Sequence, residues 1–246
     1  MSQRARYLLL AILAGAAVLG GAAFYRYGRA VWHPVYRRLA GTVTEGDVLR
    51  ASGPGVEARV RPHFHRAGVA YPPVALALVA FKKERRLELW ARAAGRWACV
   101  RTYPILAASG GAGPKLREGD RQVPEGVYRI EHLNPNSSYH LSMKLDYPNA
   151  YDRARAAEDR RTNLGGDIFI HGKAVSIGCI AVGDAAIEEL FFLATRVGIA
   201  NITVVIAPYD ARPDGVAATP RDAPAWVADL YRRIEAALRA FPSPQN

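Results

Sequence analysis

The sequence predicts a mainly β domain with peripheral helices (α+β), preceded by an N-terminal hydrophobic helix. Three observations lead there. Between residues 74 and 207, short apolar runs recur, separated by Gly, Pro and Asp. Helical apolar stripes fall mainly near residues 185–197 and 222–241. The first forty residues hold an apolar tract between basic flanks. The chain therefore divides into 1–40, a signal peptide or membrane anchor; 41–73, a spacer; 74–207, the main domain; and 208–246, a loop and a C-terminal helix packing on it.

Residues 7–25 are uncharged and follow Arg4 and Arg6. As a helix they reach about 28 Å, close to the thickness of a bilayer core. Gly21, Ala22 and Ala23 also offer a small-residue cleavage site. An uncleaved anchor and a cleaved signal both fit, and each places the remainder in the periplasm or cell envelope. Arg26, Arg29, Arg37 and Arg38 follow the tract, so charge gives little orientation.

Residues 41–73 are punctuated by Gly and Pro, which reads as a spacer, with a short strand at 56–60. His63 and His65 flank Phe64 and would share a strand face. No carboxylate or cysteine close in sequence completes a metal site, so none is expected. Residues 74–81 read as a buried strand, 87–90 as its return and 96–103 as a third strand containing Cys99. Residues 109–120 are glycine-rich but lack the Gly-Lys-Ser/Thr of a phosphate loop, and read as a tight turn beside the site. Pro124-Glu125-Gly126 is a turn before a strand at 127–130. Residues 134–166 lack a strong period. They offer Asn136, Ser137, Tyr139, His140, Ser142 and Tyr147, polar and aromatic groups suited to a peptide, and are expected to cover the cleft. Asp184 is placed to cap a helix over 185–197. Residues 202–207 form another buried strand, and Asp222 opens a last helix with Val227, Leu230, Tyr231, Ile234, Leu238 and Phe241 as its apolar stripe.

Chemistry concentrates between Ile168 and Ile180. Ile168-Phe169-Ile170 is a buried strand end that delivers His171. Gly172 is expected to let the chain turn, and Val175 to Ile177 to form a second short strand. An antiparallel return over the eight-residue offset brings Cys179 back toward His171. A thiol becomes a useful nucleophile beside an imidazole that takes its proton or, as imidazolium, lowers its pKa. Gly178 leaves room for a substrate carbonyl and exposes main-chain N–H groups for an oxyanion. The competing reading is structural: a cysteine in an apolar run is commonly a small buried hydrophobe.

The order His171-Gly172 followed by Ser176-Ile177-Gly178-Cys179 resembles the catalytic signature of the L,D-transpeptidase (YkuD-type) family, and its short spacing the YafK-like branch. The resemblance continues through Leu87 to Trp90, Tyr103-Pro104-Ile105, Ser109-Gly110, Gly113-Pro114-Lys115, Glu118-Gly119-Asp120, Pro124 to Tyr128, Leu133 to Ser137 and Asp146 to Asn149. It covers roughly residues 74–207. It departs where much of the family has an arginine two residues after the cysteine; here Ile180-Ala181 follows. The resemblance implies a β-sandwich catalytic domain, with Cys179 as nucleophile and His171 as base. Ser176, Gly178 and Gly172 then support the site, with Ser176 orienting His171 through its main-chain carbonyl, while Tyr147, Ser142, Asn136 and Tyr139 bind substrate. It further implies peptidoglycan peptide stems as donors and no cofactor. The thioester then passes to an amine, giving a cross-link or an attached protein, or to water, as in an amidase or carboxypeptidase that releases a wall-linked lipoprotein. A non-catalytic wall-binding module is the alternative of another class.

The net charge of +11 suits an anionic wall polymer or membrane surface. No helix-turn-helix, zinc-finger or RNA-binding pattern accompanies it, so no nucleic-acid partner is expected. A Cys99–Cys179 disulfide would silence the nucleophile and is not expected, and without Cys-x-x-Cys a redox role has no motif.

Overall fold

A computed structural model describes residues 3–243. They fall into two units, divided between Val43 and Thr44. The first holds helices α1 (Gln3–Tyr27) and α2 (Arg29–Ala40). Among the described residues, no helix is long and apolar enough to cross a membrane. Alanine and glycine dominate the tract in α1, which accounts for its modest apolarity.

The second unit begins with α3 (Glu45–Arg66), where the sequence suggests a spacer and a strand at 56–60. Thr44 and Asp47 form a reciprocal capping box at its start. Val56, Val60 and Phe64, four residues apart, bury one face of the helix. Pro54 and Pro62 lie inside the helix, so packing outweighs propensity. Gly53 brings α3 against α5 (Asp184–Val197): a Cβ there would stand 3.3 Å from the Phe192 ring.

Strands β1 (Leu76–Phe81), β2 (Arg86–Ala93), β3 (Arg96–Pro104), β4 (Ala107–Ala108), β5 (Gly126–Asn134), β6 (Ser142–Leu145), β7 (Phe169–His171), β8 (Ile180–Ala181) and β9 (Ile202–Ala207) form one mixed sheet. Their order is β3-β2-β1-β9-β5-β6-β7-β8-β4. β1 runs parallel to β9, and β7 parallel to β8; the other neighbours are antiparallel. A bulge between Ile130 and His132 bends β5, whose first half pairs with β9 and second half with β6. The sheet thereby curls into a half-barrel. Leu78, Leu89 and Val204 from one half share a core with Met143, Ile170 and Ile180 from the other, and α3 and α5 add Phe64 and Phe191. This is the expected α+β architecture, with a larger helical share than a mainly β reading implies.

Helix α6 (Val227–Leu238) covers the outer face of the first half. Its stripe of Val227, Leu230, Tyr231, Ile234 and Leu238 packs on Ala77, Val79, Phe81 and Val205. It begins five residues after Asp222, the predicted start. The stretch 134–166 contains β6 and α4 (Ala150–Glu158), so it is no continuous loop.

Candidate active site

The site occupies the outer face of the sheet's second half. Met143, Ile170 and Ile180 point into the core and are at most 1% exposed. By alternation, Ser142, Phe169, His171 and Ala181 point the other way. Ser142 pairs with His171 and Lys144 with Phe169, while His171 pairs with Ala181. Carrying the β7–β8 register back one residue sets Cys179 beside Phe169. Its side chain thus shares a face with His171, diagonally across two neighbouring strands. Such diagonal positions lie roughly 7–8 Å apart at the main chain, within reach of an imidazole.

The route by which the cysteine returns differs from the antiparallel one expected. β7 and β8 are parallel, and residues 172–179 form an irregular crossing rather than a second strand. Val175 and Ile177 are exposed on it. Gly172 is required by packing, not by its backbone angles: a Cβ there would stand 2.6 Å from Asp184 Oδ1 and 2.7 Å from the Tyr139 carbonyl. Gly178 has φ +97°, a conformation that favours glycine.

His171 is 3% exposed. Its Nδ1 lies 2.6 Å from the main-chain carbonyl of Gly172. That carbonyl only accepts, so Nδ1 carries the proton and neutral His171 keeps the lone pair on Nε2. Ser176 does not perform the orientation expected of it. Its hydroxyl donates to the Cys179 carbonyl, 2.7 Å away. Tyr139 lays its ring beside the imidazole, with centroids 4.7 Å apart.

The Cys179 thiol faces the Asp167 carbonyl at 3.7 Å. Asp167 thus reaches the site through its main chain. Among the described residues no hydrogen bond joins the thiol to His171. Burial raises the thiol's pKa above the usual 9.0, against lowering by the Phe169 N–H and the Lys115 charge. Burial likewise depresses His171 below its usual 6.5, opposed by the bond to Gly172. Both shifts favour a neutral thiol beside a neutral imidazole, rather than a thiolate–imidazolium pair.

The other expected contacts divide. Tyr139 reaches the site, and Ser142 lies beside His171 in the sheet, 3% exposed. Tyr147 does not face a cleft. It is 3% exposed, its hydroxyl donates to the Leu164 carbonyl at 3.2 Å, and its ring packs edge-on to Tyr128. Asn136 uses its N–H on the Asn134 side chain at 2.8 Å, within the turn after β5. The Gly178 N–H is also engaged, donating to Ser109 Oγ at 2.6 Å, so it is not a free oxyanion donor.

Two residues of the site have parts there that the sequence reading does not give them. Asp184 does not cap α5, whose first turn lacks a side-chain cap. Its carboxylate accepts from the Lys173 N–H at 2.9 Å and from Lys173 Nζ, tying down the turn after His171. A positive φ at Lys173 makes that turn tight. Ser109 is the second, and its glycine-rich segment does lie beside the site, as expected. Sequence distance hid both partnerships. Among the described residues, no cluster of three or more His, Cys, Asp or Glu is arranged to hold a metal. Cys99, in β3 at one edge of the sheet, is free, as is Cys179 near the other.

The L,D-transpeptidase catalytic domain (YkuD) model matches residues 77–207, which include the whole His171–Cys179 segment and all strands except the first residue of β1. The chain belongs to the L,D-transpeptidase catalytic domain family. YafK of Escherichia coli (strain K12), assigned by name to the L,D-transpeptidases, is 38% identical over 134 residues, 52% of each chain. The chain thus spans about half the length of the curated relatives it matches. Among solved structures, it resembles the helical cell shape determining protein Pgp2 from Campylobacter jejuni, with 23% identity and a TM-score of 0.45. That match covers 56% of this chain and 49% of Pgp2. Bd1075 of Bdellovibrio bacteriovorus gives 18% identity and a TM-score of 0.41, over 70% of this chain and 57% of that one.

Proposed function

We propose that the chain is a cysteine acyltransferase working on peptidoglycan peptide stems through a thioester at Cys179. One observation carries this reading: His171 has its Nδ1 proton fixed on a carbonyl and shares a sheet face with Cys179, which directly precedes the neighbouring strand. A neutral imidazole with its lone pair on Nε2, on the same sheet face as a thiol, suits a general base that acts once substrate is bound.

The steps follow from that geometry. As the sulfur attacks the carbonyl of the scissile amide, its proton passes to His171 Nε2. The new oxyanion takes the Cys179 main-chain N–H, because Ser109 holds that of Gly178. Collapse breaks the C–N bond, and His171 returns the proton to the departing amine. An acceptor amine or water then attacks the thioester, giving its proton to His171, which protonates the leaving sulfur. The rise in positive charge on His171 at each attack is favoured by the Gly172 carbonyl on its other nitrogen. No cofactor enters these steps.

The family supplies the donor class, a stem peptide cut after the L-centre of diaminopimelate. The basic balance of the chain, +11, suits an anionic wall polymer. The apolar tract behind Arg4 and Arg6 supports export as a signal segment. The test is product analysis of diaminopimelate-containing muropeptides incubated with the full chain, Cys179→Ala and His171→Ala. Turnover lost in both variants supports the reading, and the product, cross-linked or hydrolysed, identifies the acceptor. Binding without turnover in a protein with reduced Cys179 contradicts it and favours a wall-binding module.

A further inference from the structure

The residue that fixes the nucleophile's main chain lies seventy positions before it in sequence. β4 pairs with β8, Ala107 with Ala181 and Ala108 with Ile180. The next step of that register sets Ser109 beside Cys179 on the same face. Ser109 meets the Ser176-Ile177-Gly178-Cys179 turn at three points. Its Oγ accepts from the Gly178 N–H at 2.6 Å. The same Oγ lies 3.2 Å from Ser176 Oγ, and the Ser109 N–H donates to Ser176 Oγ at 3.2 Å. Ser176 Oγ in turn donates to the Cys179 carbonyl at 2.7 Å. The turn is thus held on both sides of the cysteine's peptide, through the N–H before it and the carbonyl after it.

Ser109 is itself anchored from below. The Val123 N–H donates to the Ser109 carbonyl at 3.3 Å. The Val123 carbonyl accepts from Lys82 Nζ at 2.9 Å, and Lys82 pairs with Glu125 at 3.0 Å. Both charges are buried, and Tyr231 donates to the second oxygen of Glu125 at 2.9 Å. A fully partnered buried pair under a glycine-rich segment gives that segment one position.

We propose that Ser109 is a positioning residue for Cys179: its hydroxyl withdraws the Gly178 N–H from the oxyanion site and, with Ser176, holds the main chain on both sides of the cysteine, so that the thiol stays at the Asp167 carbonyl and the cysteine's own N–H faces the substrate. The part concerning turnover rests on the acyltransfer reading above; the part concerning the thiol does not. A freed Gly178 peptide, at φ +97°, has no other restraint of this kind among the described residues. Its release loosens the placement of the thiol at the Asp167 carbonyl, 3.7 Å away.

The experiment compares the full chain with Ser109→Ala and Ser109→Thr. Two quantities are read: the pH profile of Cys179 alkylation by iodoacetamide, after Cys99→Ser in all proteins, and kcat and KM on muropeptides. In Ser109→Ala the alkylation midpoint moves away from the parent's, as expected when the thiol is displaced from the main-chain groups around it. There kcat falls roughly 10- to 100-fold with KM within about threefold, the signature of a misplaced reacting group. Ser109→Thr, which keeps the hydroxyl, stays within about threefold of the parent. Circular dichroism confirms that the proteins compared are folded. An unchanged alkylation midpoint in folded Ser109→Ala overturns the proposal, as does Ser109→Thr losing as much as Ser109→Ala. If the parent turns over no muropeptide, the acyltransfer reading fails, and the alkylation profile still decides the role of Ser109.

Discussion

His171 Nδ1 and the Gly172 carbonyl stand 2.6 Å apart, so the imidazole is oriented by the residue that follows it and not by a carboxylate. Asp167, the acid nearest in sequence, faces the thiol through its main-chain oxygen instead. Burial holds the pKa of His171 below 6.5 and that of the Cys179 thiol above 9.0, which favours the neutral form of each.

This sets the pH dependence. Lowering the imidazole pKa keeps the base unprotonated further into acid. The acid limb of kcat/KM therefore falls below pH 6.5, and activity stays level through neutrality. Without substrate, alkylation of Cys179 rises only as pH approaches and passes the thiol's raised value. Fast alkylation at pH 5 would instead show a thiolate–imidazolium pair.

Asp184 should matter to rate more than to folding. Its carboxylate holds the Lys173 N–H and ammonium, and so the turn that carries His171. Asp184→Ala is expected to lower kcat about 10-fold with a small change in KM, by steady-state kinetics. Asp184→Asn retains an acceptor for the N–H and should lose less.

Tyr147 is expected to act on stability alone. Tyr147→Phe removes a buried hydroxyl bonded to Leu164 and should cost about 1 kcal/mol in denaturant unfolding. Its KM should stay within about twofold of the parent. A tenfold rise in KM with unchanged stability would restore Tyr147 to the substrate.

Asp152 predicts a stability change in mild acid. Burial raises its pKa from 3.8 to about 6, although it closes the capping box of α4. A carboxyl raised in the folded state adds stability that is full below pH 3.8 and is lost as pH rises through 6. The difference is of order 3 kcal/mol before any relaxation. Asp152→Asn should flatten this fall in thermal unfolding between pH 4 and 7.

Much of the fold was legible because its strands are apolar runs closed by turns, as at 74–81 and 202–207. The helix over 45–66 was not, since Gly53, Pro54, Gly55 and Pro62 read as punctuation. Burial of Val56, Val60 and Phe64 overrides them, and that burial is tertiary. The signature singles out Cys179 and His171, and the sheet puts them on one face. What surrounds them was not. Gly172 looked like a turn residue and is a contact residue, and Asp184 looked like a cap and is a tether. Tyr147 looked exposed because its neighbours are polar, yet its ring fills the core. Parallel pairing of β7 with β8 cannot be read from an eight-residue offset that equally permits a hairpin.

The most direct test of the account is intact-protein mass spectrometry of the chain quenched in acid during turnover of a diaminopimelate-containing muropeptide. The account predicts an adduct of the donor acyl mass, mapped by peptide digestion to Cys179, released by hydroxylamine and absent from Cys179→Ala. Turnover with no such adduct, or an adduct that survives in Cys179→Ala, would contradict it.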